Sequence, residues 1–215
     1  MFGEVYVWTD NGRPAVVASL FRWFSVKWGD TLEVCSLVDG PVSGRLRDVR
    51  VWAPTDPGLQ FKLISEADAV AKSSPARLVQ MRRMANVFVA ELADTRSTGA
   101  RVNRQLRLLN QPIFRYPPPT EKSEYVDGAL FTFVEGTDPE VLLLIEATKV
   151  EGEDKWRYGL ARMNRDALVV KYRETTVWTA PHIADVLNRP RDPYAAFCLD
   201  LPLREVVSRP SLSKP

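Results

Sequence analysis

His182 is the lone histidine of the chain, within Ala180-Pro181-His182-Ile183. A Ser-His-Asp or Cys-His arrangement would have to use it, yet no Gly-x-Ser-x-Gly elbow accompanies it, so it reads as a loop residue after a proline. One histidine and two cysteines, Cys35 and Cys198, are too few for a histidine-based zinc site or a cysteine-rich metal centre. No metal and no cofactor are expected. The two cysteines read as buried thiols, with a single bridge between them left open. The glycines stand singly in turns, so no loop is built to cradle phosphate.

Carboxylates remain. Asp10, Asp127, Glu135 and Glu146 fall near strand ends or within strands, from which two carboxyls can converge for acid–base work. Glu146 and Arg162 each interrupt an apolar strand. An inward charge needs a partner, so the two are expected as a cross-strand ion pair or as a ligand-binding pair. The basic stretch Arg96, Arg101, Arg104, Arg107 and Arg115 lacks aromatic interleaving and any groove-reading motif. It reads as a solvated basic face rather than a nucleic-acid surface.

The most distinctive local composition is Phe21-Arg22-Trp23-Phe24-Ser25-Val26-Lys27-Trp28. Phe21, Trp23, Phe24 and Trp28 either pack into the core or form an apolar lip for a protein, a lipid or a sugar ring. With Glu146 and Arg162 they make up the candidate ligand-binding set.

These residues need a scaffold, and the chain of 215 residues is long enough to bury a core in one domain over 1–207. Lys plus Arg outnumber Asp plus Glu by 29 to 27, and a net charge of +2 does not imply a polyanionic partner. No apolar run reaches the length of a membrane span. The start, Met1-Phe2-Gly3-Glu4-Val5, does not read as a signal peptide and enters a strand-like pattern almost at once.

A first meander is expected over 3–64, with Asn11-Gly12 as its first tight turn because that pair accepts positive φ. Ser74 as N-cap, Pro75, and the spacing of Leu78, Met81, Ala85, Phe88 and Leu92 predict one amphipathic helix over 74–95, with Arg82 and Arg83 in water. A second meander is expected over 106–180, in which Val141 to Ala147, apolar on both faces, should be a central strand. The segment 181–207 follows, and 208–215 reads as a disordered tail. The predicted class is mostly β (α+β), two antiparallel meanders forming a curved sheet or barrel with the helix packed on it. The meanders also align on each other, Gly3 opposite Gly128, Val16 opposite Val141 and Trp52 opposite Trp178, which leaves an internal duplication open.

The motifs Val7-Trp8-Thr9-Asp10-x-Gly12-Arg13-Pro14, Ala76-Arg77-Leu78-x-Gln80-Met81-Arg82, Asp127 through Glu140 to Ala147, and Ala161-Arg162-Met163 resemble an uncharacterised bacterial family. The resemblance covers nearly the whole chain, and Asp127 to Ala147 is its most specific part. It implies an export signal upstream and hence a mature domain outside the cytoplasm; it implies no activity, cofactor or catalytic residue. The leading functional reading from the residues is a non-enzymatic binding or protein-interaction domain. The alternatives are a carboxylate-based hydrolase acting on a polymer such as a glycan, and a nucleic-acid-associated protein.

Overall fold

The computed structural model describes residues 3–22, 29–46, 48–94, 102–118, 120 and 123–199. Trp23, Phe24, Trp28, Arg96, Arg101 and the segment 208–215 lie outside the described residues. The chain begins with β1 (Gly3–Asp10), β2 (Arg13–Arg22), β3 (Asp30–Ser36), β4 (Gly44–Leu46) and β5 (Val49–Trp52). Then come β6 (Phe61–Leu63), the helix α1 (Ser74–Ala85), β7 (Phe88–Asp94), β8 (Val102–Gln105), β9 (Arg107–Leu108) and β10 (Phe114–Tyr116). The long strands β11 (Tyr125–Glu135), β12 (Asp138–Val150) and β13 (Glu153–Arg162) follow. They lead into β14 (Ala167–Tyr172), β15 (Thr175–Ala180), a short 3-10 turn and β16 (Tyr194–Cys198). The fold is mostly β, its sheets are antiparallel, and α1 is the one α-helix among the described residues. No sheet there closes into a barrel.

Two compact units emerge, one from Met1–Trp8, Ala15–Leu59 and Ala184–Pro215, the other from Thr9–Pro14 and Gln60–Ile183. In the first, the strands are ordered β1-β2-β3-β16, and β4-β5 form a separate hairpin. Val16, Ala18, Val34, Ala195 and Phe197 pack around Trp52, whose indole nitrogen donates to the Asp192 carbonyl at 2.9 Å. Cys35 and Cys198 are both buried, and no disulfide joins them.

In the second unit one sheet runs β10-β11-β12-β13-β6, with β9 also on β11, and another runs β15-β14-β7-β8. β12 is central, as its doubly apolar sequence predicts, and Val141 to Ala147 are all buried. β6 was expected in the first meander but pairs with β13, Phe61 opposite Gly159 and Leu63 opposite Arg157. The order of three antiparallel strands followed by a hairpin occurs twice, in β1-β2-β3 with β4-β5 and in β11-β12-β13 with β14-β15.

The helix is shorter than predicted. It ends at Ala85, and Phe88 and Leu92 belong to β7. A spacing of four satisfies both a helical and a two-residue period, and the burial of Phe88, Ala90 and Leu92 shows that the second one holds there. Met81 and Ala85 carry the buried face of α1 against β11 and β12. Arg83 is exposed, whereas Arg82 is half-buried and donates to Gln111. The N-cap is Ser73, and it makes no side-chain cap. Ser74 instead accepts a hydrogen bond from Arg115.

Candidate functional site

The β11–β12 pairing places two buried carboxylates on opposite faces. Asp127 lies across from Ala147 and Gly128 across from Glu146, so neighbouring rows face opposite ways. Both side chains are essentially sealed from water, at 1% and 0% exposure. Burial on this scale is tolerated only when the charge is paired and hydrogen-bonded, and each carboxylate has two arginines.

On the face of α1, Asp127 Oδ2 accepts from Arg77 Nε at 2.8 Å and from Arg115 Nη2 at 2.8 Å. Arg77 also donates to the Ala71 and Lys72 carbonyls, and Arg115 to the Ser74 carbonyl and hydroxyl. The Arg77–Asp127 and Arg115–Ser74 bonds tie the start of α1 to β11 and β10. This cluster is a clasp.

On the opposite face, Arg157 of β13 stands across from Glu146 and donates to its Oε1 from Nε at 2.8 Å and from Nη2. Tyr116 of β10, across from Gly128, donates its hydroxyl to Oε2 at 3.3 Å. Burial, and the negative charge of Glu146 beside it, push the Tyr116 phenol well above its ordinary pKa. Arg13 Nε approaches Oε2 to 3.0 Å as an ion pair without hydrogen-bond alignment. Arg13 and Arg157 both hold their guanidiniums over the Phe61 ring, 4.5 and 4.2 Å from its centroid. The Asn11-Gly12 turn positions Arg13; both residues have positive φ, and the Tyr125 hydroxyl donates to the Asn11 carbonyl at 3.1 Å.

Glu146 therefore makes its cross-strand ion pair with Arg157, and the expected pair with Arg162 is not formed. Arg162 faces Val141, not Glu146. Its guanidinium donates to the carbonyls of Asn164, Asp166 and Pro181, which makes it an organiser of the loop after β13. That loop supports a third group. Glu140, buried, accepts from the Asn164 amide, and His182 Nδ1 lies 3.2 Å from Asp166 Oδ1. Burial first, then the negative charge of Asp138, pushes Glu140 to about 8; burial and Glu135 push Asp138 to about 6.

Of the predicted aromatic lip, Phe21 is buried at 4% exposure, so it belongs to the core. Among the described residues the exposed aromatics are on β1. Tyr6 and Trp8, on one face of β1, are 41% and 52% exposed, and Val5 is 43% exposed. Of the described members of the arginine stretch, Arg107 is exposed and donates to the Gly136 carbonyl, the Arg104 side chain is 40% exposed and pairs with Glu135 at the surface, and Arg115 is in the clasp. Of the carboxylates considered for catalysis, Asp127, Glu135 and Glu146 are each held in ion pairs with arginine. Among the described residues no group of three or more His, Cys, Asp or Glu could hold a metal ion. No helix there is long and apolar enough to cross a membrane.

Arg157 had a readable signal. Glu151-Gly152 is a two-residue turn with positive φ at both positions, and counting back from it sets Glu146 opposite Arg157. Arg13 had none, because 133 residues separate it from Glu146 (146 − 13 = 133). Comparison with protein-family models, with curated proteins and with solved structures gives no match.

Proposed function

We propose that the protein is a non-enzymatic protein-interaction domain in which the edge of β1 takes an extended segment of a partner polypeptide. The observation that carries this reading is the exposure of Val5, Tyr6 and Trp8 on a strand whose one neighbour among the described strands is β2. Edge strands are ordinarily blunted by lysine, proline or a bulge, and Gly3 to Trp8 contains neither lysine nor proline. Of protein, lipid and glycan partners, a polypeptide uses the backbone edge as well as the rings. Glu4 favours a partner strand with a basic end.

A capped peptide of alternating valine and threonine between terminal lysines is a direct probe. Hydrogen exchange should show added protection of β1 amides, and Tyr6→Ala with Trp8→Ala should weaken binding at least tenfold. Absence of added protection at millimolar peptide overturns the reading.

A second reading, carboxylate-based hydrolysis, is favoured by Glu140. A carboxyl raised to about 8 beside one raised to about 6 gives an acid and a base at neutral pH. Release of reducing ends from soluble glycans, lost in Glu140→Gln, would support it; no release by the wild type removes it. The twice-used strand order supports an internal duplication, and an origin in an exported bacterial family is proposed on sequence resemblance alone.

A further inference from the structure

The Glu146 centre is more than a neutralised buried charge. Two guanidiniums surround one carboxylate, which leaves one positive charge in excess. Arg157 uses Nε and Nη2 on Glu146, and its Nη1 donates to no described residue. Arg13 makes its ion pair through Nε and its contact with Phe61, and neither terminal nitrogen donates to a described residue. About a quarter of each arginine side chain reaches solvent, 27% for Arg13 and 22% for Arg157. A structural ion pair would be complete with Arg157 and the Tyr116 hydroxyl. Arg13 adds a charge that Glu146 does not need and donors with no acceptor among the described residues.

We propose that Arg13 and Arg157, stacked on Phe61, form a binding site for a monoanionic carboxylate. Planar guanidinium donors match a carboxylate edge bidentately, and stacking on an aromatic ring fixes the plane of the fork. A single excess charge matches a carboxylate better than a phosphate, which carries more than one negative charge at neutral pH. The Tyr116 hydroxyl keeps its proton in this setting, so it remains a donor to Glu146 and does not compete as an anion. The site is independent of the β1 edge: it uses only residues of the second unit.

The test is titration of the full chain with acetate, with inorganic phosphate, and with triglycine bearing a free or an amidated C-terminus, at constant ionic strength. The arginine Nε–H resonances of Arg13 and Arg157 are followed by NMR. Saturable shifts at both with acetate, in the low millimolar range and at least fivefold weaker with phosphate, are expected. Tighter binding of free-end triglycine than of acetate identifies a peptide terminus as the source, and equal binding identifies a small acid. Arg13→Gln should weaken acetate at least tenfold, while Arg173→Gln, an exposed arginine outside the site, should not. Linear shifts, equal response to phosphate, or unchanged affinity in Arg13→Gln overturns the proposal. Because the Arg157 signal is read in the wild type, no result depends on a variant that fails to fold.

Discussion

The ring of Tyr116 occupies the space that a side chain at Gly128 would take. A Cβ built on Gly128 would stand 2.2 Å from two ring carbons of Tyr116 and 2.7 Å from its hydroxyl oxygen. The missing side chain is what lets the phenol cross β11 and reach Glu146 on β12.

Gly128→Ala should therefore be destabilising by about 1–3 kcal/mol or more, because the ring must move and the hydroxyl loses its acceptor. Tyr116→Phe should lose only about 0.5–1.5 kcal/mol, the worth of the hydrogen bond. Urea unfolding of both variants checks this, and a Gly128→Ala loss no larger than that of Tyr116→Phe would show that the ring relocates freely.

Removal of one partner from the Glu146 centre should be worse than removal of both. Arg157→Met leaves a buried carboxylate facing an unaligned Arg13, and a loss of about 3–5 kcal/mol is expected. Adding Glu146→Leu should restore part of that loss. A double-mutant cycle measures the coupling; strict additivity would mean that the pair contributes nothing beyond its separate parts.

Stability should fall as pH rises through the neutral range. Glu140 binds its proton more tightly folded than unfolded, with a pKa of about 8 against 4.5, and Asp138 likewise at about 6 against 3.8. Their contribution is complete below the unfolded values and is lost as pH climbs through the folded ones, at about 1.4 kcal/mol per pH unit for each group while it titrates. Glu140→Gln keeps a partner for Asn164 and should flatten the curve between pH 5 and 8. Parallel curves of urea midpoint against pH for the two proteins would contradict the assignment.

Phe88→Ala should lose about 3–5 kcal/mol, since the ring is 3% exposed and packs on Tyr158 and Tyr172 with centroids 5.0 and 4.9 Å away. Trp8→Ala, by contrast, should leave the thermal midpoint within a few degrees of the wild type. If Trp8→Ala melts as early as Phe88→Ala, β1 is covered in solution.

What the sequence reveals here follows the range of the interaction. Val141 to Ala147 reads as a central strand because both of its faces are apolar, and Asn11-Gly12 reads as a turn because few residues accept positive φ. Phe88 and Leu92 mislead because a spacing of four fits two periods at once. Arg162 looks like the partner of Glu146 because both interrupt apolar strands, but register, set by the Glu151-Gly152 turn, gives that place to Arg157. Arg13 reaches the centre across 133 residues of sequence, beyond any local pattern (146 − 13 = 133).

The placement of Asp127 and Glu146 in adjacent rows, on opposite faces, makes the β11–β12 hairpin intolerant of mispairing. A slip of one residue turns every side chain of the moving strand to the other face. If β12 slipped, Ile145 or Ala147 would meet Tyr116 and Arg13, and Glu146 would arrive on the side where Asp127 already claims both arginines. Each wrong pairing thus buries two like charges together and strands two cations elsewhere. An insertion of one residue between Val141 and Ile145 would impose that penalty permanently, whereas an insertion of two would return Glu146 to its own side. The ionic clusters act as a parity check on the hairpin, selecting among alignments that its uniformly apolar strands could not tell apart.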